Sequence, residues 1–349
     1  MLVFSFGVLY TMKMKTNFNF KSEENTSVKY LLRLFLPLCM IFLLMTGCHT
    51  AYAGEEGTLS VVTTVFPPYD FAREITNGVE GVSVTQLLRP GMESHTFDPT
   101  PADMLTVEHC DVFIYTGGES DAWVDTLLDA VNNPDMRVIR MIECVDHVEN
   151  MPSHMEHDHD HQHDADHVEY DEHVWTHPQN AIRICESIAK TLCDIDHAHA
   201  DMYESNLAVY TDKLCELDRT IAETVSEAER NTLIFGDRFP FLYLCKGYGI
   251  SYRAAFSGCA AESEVSARTL ASLIDHIKAE NIPVVCKIEL SNAKVATAIS
   301  EQTGAEIQML HSCHNRTAKE AKAGKTYLDL MYENVNVLRI ALGKKDQES

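Results

Sequence analysis

The sequence predicts an α/β protein with two lobes, each built on a mainly parallel β-sheet flanked by helices, and joined by a long rigid helix. Three observations lead to this fold class. Apolar β-branched runs alternate with helical patterns in the first half, a second such series begins at Thr232, and one long amphipathic helix separates the two series. Strands that alternate with helices favour parallel sheets, because each crossover helix covers a face of the sheet.

The first lobe is predicted to span residues 58–196. Its strands are expected where short apolar runs rich in β-branched and aromatic residues alternate with helical patterns. These runs are residues 59–65, 82–88, 111–116 and 137–142. Pro67 and Pro68 end the first run, and a helical pattern follows from Tyr69. The pattern indicates repeated strand–helix units.

The second lobe is predicted to span residues 231–349 and to repeat the same organisation. Its apolar runs are residues 232–236, 250–256, 283–288 and 306–310. A closing helix is expected from about Thr326. Two α/β halves are therefore the simplest interpretation of the whole pattern.

The clearest helix of the chain is predicted between the two series, over residues 197–230. Its apolar side chains recur every three or four positions, which places them along one face. They are Tyr203, Leu207, Tyr210, Leu214, Leu217, Ile221 and Val225. No Gly or Pro interrupts residues 198–230. This apolar face is consistent with a surface helix of one lobe or with a rigid helix that connects both lobes. The predicted domain organisation takes it as the connecting helix.

The composition is acidic. The chain of 349 residues has 28 Lys and Arg against 52 Asp and Glu, which gives a formal net charge of −24. Nucleic-acid binding is excluded, because it requires Lys and Arg to displace counterions from phosphates. An acidic surface attracts cations, so that metal ions and amines remain plausible ligands.

Residues 1–47 are predicted to be a lipoprotein signal segment. Basic residues precede a twelve-residue apolar run at 34–45, which is too short to span a bilayer comfortably as a helix. The run ends in Met45-Thr46-Gly47-Cys48, which resembles a bacterial lipoprotein box. We therefore expect lipidation of Cys48, a tether at 48–57, and an extracytoplasmic protein anchored to the bacterial cell membrane by lipid. An uncleaved signal anchor is the alternative.

Histidine is concentrated between residues 147 and 170, where it alternates with carboxylates. The six central histidines are His154, His157, His159, His161, His163 and His167. A run without apolar spacing cannot form a core, so we expect a solvated loop. Imidazole binds borderline metals such as zinc, which makes this segment a flexible, low-affinity metal collector. The alternative is a soluble low-complexity insert without a binding role.

Other histidines lie directly after predicted strands or the His-rich loop. His95 lies on a turn bounded by Gly and Pro, and His173 follows the loop in the segment D-E-H-V-W. His311 and His314 follow the last predicted strand. Because α/β folds bind ligands at the carboxyl ends of their strands, these positions favour metal coordination over a purely structural role.

These motifs together resemble the solute-binding proteins of bacterial zinc/manganese ABC importers. The resemblance covers about residues 58–343 and is carried by G-M-E-S-H-T-F-D-P-T-P at 91–101 and by D-E-H-V-W at 171–175. Residues 256–264 and 327–331 also match. The resemblance implies two α/β lobes joined by a long helix, with the metal site in the interlobe cleft. A His-rich loop is typical of the zinc-preferring members.

The resemblance also implies a ligand set. His95 and His173 fall on the first two ligand positions of the family. The third position carries Arg238, whose guanidinium has no acceptor and cannot ligate a cation, so it is expected to pair with Asp237 or another acid. The fourth position is assigned to His314, with His311 as the alternative.

Two further side chains could supply an oxygen ligand, and one further histidine has no assigned role. The oxygen candidates are Glu289, at the end of a predicted strand, and Glu262. His177 stands where the family often has Asp, which leaves its role open. Three imidazoles with one oxygen or water suit tetrahedral zinc, whereas manganese prefers more carboxylates.

The function implied is that of an extracytoplasmic receptor, a monomer, that captures Zn²⁺ and delivers it to a membrane permease and its ATPase subunit. A manganese or iron receptor of the same family and a surface adhesin lipoprotein are the alternatives. An enzyme is not expected, because the sequence contains neither H-E-x-x-H nor the G-x-S-x-G nucleophile motif.

Overall fold

The computed structural model describes residues 58–150, 170–256 and 265–344. Segment 1–57 with Cys48, the six histidines from His154 to His167, and Glu262 lie outside the described residues. Among the helices that are described, none combines the length and the apolar character needed to cross a membrane.

The first half of the chain forms a four-stranded parallel sheet with the strand order β2-β1-β3-β4. Its strands are β1 Leu59–Thr63, β2 Val82–Gln86, β3 Val112–Tyr115 and β4 Arg137–Arg140. The register aligns Val61 with Val84 on one side and with Val112 on the other. All of β3 is buried, as expected for an inner strand of a sheet that is covered by helices.

The second half forms another four-stranded parallel sheet, with the strand order β6-β5-β7-β8. Its strands are β5 Thr232–Phe235, β6 Ser251–Ala254, β7 Val284–Lys287 and β8 Glu306–Met309. All eight predicted strands are present, each one to three residues shorter than its apolar run. The predicted fold class, two α/β lobes with parallel sheets, is confirmed.

Helices follow the strands in both halves. The α-helices described before residue 200 are α1 Phe66–Ile75, α2 Pro101–Glu108, α3 Trp123–Ala130 and α4 Pro178–Ile195. The long helix is α5 Ala200–Ser226, and the later helices are α6 Leu242–Tyr248, α7 Ala267–Glu280, α8 Lys294–Thr303, α9 Ala318–Lys322 and α10 Tyr327–Leu342. Helix α1 begins before its proline pair, because proline is tolerated in a first turn whose N–H groups lack intrahelical partners.

Helix α5 packs against helices from both halves of the chain. Its 27 residues, about 40 Å at 1.5 Å per residue, contact α4 and α10. The buried members of the predicted apolar face are Tyr203, Tyr210, Leu214, Leu217 and Ile221. The helix ends four residues before the predicted boundary, where Arg230 N donates to Leu342 O of α10.

Aromatic side chains continue the core between the two sheets. The Phe71 ring of α1 meets the Tyr327 ring of α10 edge to face, with 4.9 Å between the ring centroids. The Tyr327 hydroxyl donates a hydrogen bond to the Trp175 carbonyl at 2.6 Å. Because Phe71 and Trp175 precede α5 and Tyr327 follows it, one hydrophobic core links both halves.

A buried carboxylate lies in this interface. Asp70 of α1 is 1% exposed, and its Oδ2 accepts a hydrogen bond from the Tyr327 backbone N–H at 2.8 Å. Burial raises the pKa of Asp70 to about 6, more than the hydrogen bond from Tyr327 lowers it. The ionised form of Asp70 is therefore disfavoured in the folded protein.

Asp70→Asn is expected to change how the unfolding free energy of the metal-free chain depends on pH. Since burial raises the pKa of Asp70 to about 6, the stabilisation from its bound proton is complete below about pH 4 and is lost as the pH rises through 6. The variant avoids this loss. Its unfolding free energy should therefore rise relative to wild type by about 2–2.5 kcal/mol between pH 4 and 7.

Urea unfolding at several pH values between 4 and 7 measures this difference. Asp98→Asn, at an exposed position, controls for the change in net charge. A constant difference between wild type and Asp70→Asn across this range would contradict the assignment to Asp70.

Candidate metal centre

The turn that contains His95 lies beyond the carboxyl end of β2. A 3₁₀-helix spans Ser94–Thr96, and Thr100 then caps α2. The Thr100 side chain accepts from the Asp103 backbone N–H, while the Asp103 carboxylate accepts from the Thr100 backbone N–H. These hydrogen bonds fix the backbone that follows the turn of His95. The side chain of His95 is outside the described part of the structure.

His173 lies at the start of the 3₁₀-helix Val174–Thr176, directly before α4. It is 2% exposed, and the Asp171 Oδ1 atom lies 3.0 Å from its Nδ1. The same Oδ1 accepts from the His173 backbone N–H at 2.8 Å. A carboxylate at Nδ1 fixes the ring and leaves Nε2 as the nitrogen that can ligate a metal.

His314 lies on the loop after β8 and is 6% exposed. Its Nδ1 is 3.2 Å from the Ser94 hydroxyl oxygen, in the turn that contains His95. Its ring is nearly perpendicular to that of His173, with 5.2 Å between the ring centroids. The Trp175 ring contacts both imidazoles, at centroid distances of 5.3 Å and 5.1 Å.

A third side chain completes a cluster that we call the His–Glu cluster: Glu172, His173 and His314. One possible ligand atom from each of the three lies within 4.8 Å of the others, and all three side chains are buried. Glu172 was not among the ligands predicted from the sequence. The signal that could have identified it is its place next to His173, because a tight turn can direct neighbouring side chains to one site.

The other predicted ligands in the described residues lie outside this cluster. The carboxylate of Glu289 accepts hydrogen bonds from the Ser312 backbone N–H and hydroxyl. His311 accepts from the Cys313 backbone N–H at Nδ1, and its Nε2 lies 3.5 Å from the Glu320 Oε2 atom. Burial lowers the pKa of His311, but the carboxylates of Glu289 and Glu320 outweigh it and raise the pKa overall.

His177 also lies outside the cluster. Its ring contacts that of Tyr248 at 5.1 Å between the centroids, and the Tyr248 hydroxyl donates to the Asp218 carboxylate of α5. Burial lowers the pKa of His177, and Asp218 only partly offsets this effect. Its contacts are those of a packed side chain between helices.

Two buried carboxylates lie together at the His–Glu cluster: Glu172, which is part of it, and its neighbour Asp121. Burial first, and then the charge of Glu172, raise the pKa of Asp121 to about 6, while hydrogen bonds from the Thr116 and Gly117 backbone N–H groups lower it. Like charges that are buried together favour either a proton or a metal cation.

The donor set determines what this site can bind. Two imidazoles and a carboxylate suit a borderline divalent cation. A pocket of about 20 Å³ opens beside His314, lined by Glu93, Ser94, Arg238 and Glu289 among others. His314 is the member of the cluster that lines this pocket, whose volume holds about one water-sized species.

A family model described as "ZnuA: Zinc-uptake complex component A periplasmic" matches residues 61–341. The match includes both sheets, α5 and the whole His–Glu cluster. The chain belongs to the ZnuA family.

Curated relatives and solved structures agree with membership of the ZnuA family. The zinc-binding lipoprotein AdcA of Streptococcus pneumoniae is 29% identical over 308 residues, which are 88% of this chain and 60% of AdcA. The chain thus spans about three fifths of that relative. The high-affinity zinc uptake system protein ZnuA of Bacillus subtilis is 29% identical over 306 residues, 86% of this chain and 94% of the relative. The Zn(II)-bound ZnuA-like domain of AdcA superposes with a TM-score of 0.65 at 26% identity, covering 82% of this chain and 99% of that domain.

Arg238 has an acidic partner from the other half of this ZnuA-family chain. Its two terminal nitrogens lie 3.1 Å and 2.9 Å from the two carboxylate oxygens of Glu93, next to the turn of His95. Asp237, the first partner considered from the sequence, instead accepts from the Arg238 backbone N–H. A bidentate pair of this kind links the two halves at the pocket.

Asn315 connects the loop of His314 to the segment before His95. Its side-chain amide donates to the carbonyls of Arg89 and Met92 at 2.7 Å and 2.9 Å. Its Oδ1 accepts from Gln86 and from the Arg316 backbone N–H. Although His314 follows β8 in the second half, hydrogen bonds to the first half hold its loop in this ZnuA-family protein.

Proposed function

We propose that this protein is an extracytoplasmic, high-affinity zinc receptor of an ABC importer, which captures Zn²⁺ and delivers it to a membrane permease. The observation that carries this proposal is the buried His–Glu cluster, where two imidazoles from distant parts of the chain meet a carboxylate. The names of the relatives, a zinc-binding lipoprotein and a zinc uptake protein, support it.

Zinc is the preferred cargo because of the donor atoms. Imidazole nitrogen is a common zinc ligand, with Zn–N distances of about 2.0–2.1 Å, whereas manganese favours carboxylate and water oxygens. We assign His95, His173 and His314 as the nitrogen ligands. His311 and Glu289 are engaged by other groups, so they support the loop instead of the metal.

We further propose that a lipid on Cys48 holds the protein at the membrane. There it works as a monomer with the permease and its ATPase subunit. Its lobes, residues 58–196 and 231–349, are joined by segment 197–230. Support comes from the lipoprotein box in the sequence and from the name of the AdcA relative.

The His-rich loop is proposed to collect zinc at low affinity and to be dispensable for the tight site. Deleting residues 154–167 should leave one tight zinc site per chain and remove only weak sites, because flexible ligands lose conformational entropy on binding. Uptake should slow only when zinc is scarce.

Calorimetric titration with Zn²⁺ and, separately, Mn²⁺ tests both the function and the role of the loop. Wild type and the loop deletion should each show one tight zinc site and much weaker manganese binding. If the deletion abolishes tight binding, the loop holds the main site. If manganese binds more tightly than zinc, the zinc assignment is wrong.

A further inference from the structure

The three assigned histidines need a fourth donor, and Arg238, which lines the pocket beside His314, cannot provide it. Its guanidinium pairs with Glu93 and has no lone pair for a metal. Glu289 lines the pocket, but both of its carboxylate oxygens accept hydrogen bonds from Ser312. Neither Arg238 nor Glu289 therefore provides the oxygen donor, which must come from another described residue.

Glu172 is the carboxylate that best meets the need for an oxygen donor. Its side chain is buried, with 4% of its surface exposed, and Oε2 accepts from the Ser120 backbone N–H at 3.0 Å. The other oxygen, Oε1, is buried and has no hydrogen-bond partner among the described residues. A buried carboxylate oxygen that lacks a donor is unfavourable unless a cation or another ligand compensates it.

The loop after β3 leaves space for this carboxylate. A Cβ atom at Gly118 would lie 2.1 Å from the Glu172 Oε2 atom and 2.3 Å from its Cβ. Only glycine at this position permits the observed approach. The neighbouring carboxylate of Asp121 repels that of Glu172. No ion pair among the described residues gives Glu172 a cationic partner.

We propose that Glu172 is the oxygen ligand of the bound zinc ion, the fourth donor beside the three assigned histidines. This inference rests on the proposed function. The carboxylate joins His173 and His314 at distances that small side-chain movements can reduce to those of a tetrahedral site, where neighbouring ligand atoms lie about 3.4 Å apart. A neutral ligand set of three imidazoles thereby gains one negative charge.

Glu172→Gln and Glu289→Gln form a matched pair that tests this proposal in the protein with its His-rich loop intact. Both variants replace a buried carboxylate by an amide of the same shape. Zinc affinity is measured by competition with a chromophoric chelator strong enough to remove zinc from the His-rich loop. Glu172→Gln should weaken the tight site about 100-fold or more, since even groups that only support ligands contribute 10–100-fold. Glu289→Gln, which removes only a support of the His314 loop, should weaken it no more than about tenfold.

Cobalt(II) provides a second readout that does not depend on affinity. At saturating Co²⁺, the visible absorption bands should shift in Glu172→Gln and should match wild type in Glu289→Gln. Glu172→Asp, which keeps the charge, should recover part of the affinity. Circular dichroism and the melting temperature establish that each variant is folded.

The outcomes separate this proposal from the function on which it rests. If wild type binds zinc tightly and the zinc affinity of Glu172→Gln is within threefold of that of wild type, Glu172 is not a ligand. The proposed receptor function is then unaffected. A large loss in Glu289→Gln with a small loss in Glu172→Gln would assign the oxygen ligand to Glu289. A wild-type chain without a tight zinc site would overturn both proposals.

Discussion

His173→Ala is expected to lower zinc affinity by roughly a thousandfold or more while the chain stays folded. The imidazole is buried, and Asp171 at its Nδ1 orients the ring so that Nε2 can ligate the ion. Loss of this ligand also leaves the Asp171 carboxylate without its imidazole partner. Because the effect of removing a supporting group is about 10–100-fold, that of removing the ligand itself should be larger.

His109→Ala is the matched control for this prediction. His109 is exposed at the end of α2, where its Nδ1 contacts the Leu105 carbonyl at 2.7 Å. The control should bind zinc as wild type does, by chelator competition at constant pH. Equal affinities of wild type, His109→Ala and His173→Ala would show that the tight site lies elsewhere.

Trp175→Ala is expected to have the largest effect on stability, about 3–5 kcal/mol of unfolding free energy. The indole is fully buried, and its Nε1 donates to the Ser312 carbonyl at 2.8 Å. It also forms a wall against the rings of His173 and His314. The substitution therefore creates a cavity and removes a hydrogen bond between the two halves, so zinc affinity should fall as well.

Two variants separate the causes of this effect. Trp175→Phe keeps most of the ring contact but loses the hydrogen bond, and should cost about 1–3 kcal/mol because the Ser312 carbonyl is left without its donor. Trp123→Ala removes the other tryptophan, which is only partly buried, and should cost less than Trp175→Ala. Urea unfolding of the metal-free proteins measures all three. Equal costs at Trp123 and Trp175 would contradict the role given to Trp175.

The strands could be predicted because each coincides with a short β-branched run. The four fully buried residues of Val112–Tyr115 illustrate this, since an inner parallel strand is apolar on both faces. The end of α5 was harder to predict. Residues 227–230 carry no helix-breaking side chain, and the Arg230 backbone N–H donates to the Leu342 carbonyl, a partner that is remote in sequence.

The candidate site was only partly predictable, for local geometric reasons. His311 and His314 could not be distinguished by spacing, because the choice depends on Cys313, which adopts a left-handed backbone conformation with φ of 61°. Glu172 was missed because a simple alternation of side chains would direct it away from His173. The partner of Arg238 is 145 residues away in sequence, so no local pattern could indicate Glu93.

Anomalous diffraction from crystals of the zinc-loaded chain, with data collected on both sides of the zinc absorption edge, locates the bound ion directly. We expect one strong zinc peak per chain at the His–Glu cluster, about 2.0–2.1 Å from the Nε2 atoms of His173 and His314. A fully occupied peak beside His311 and Glu320, with none between His173 and His314, would contradict this expectation.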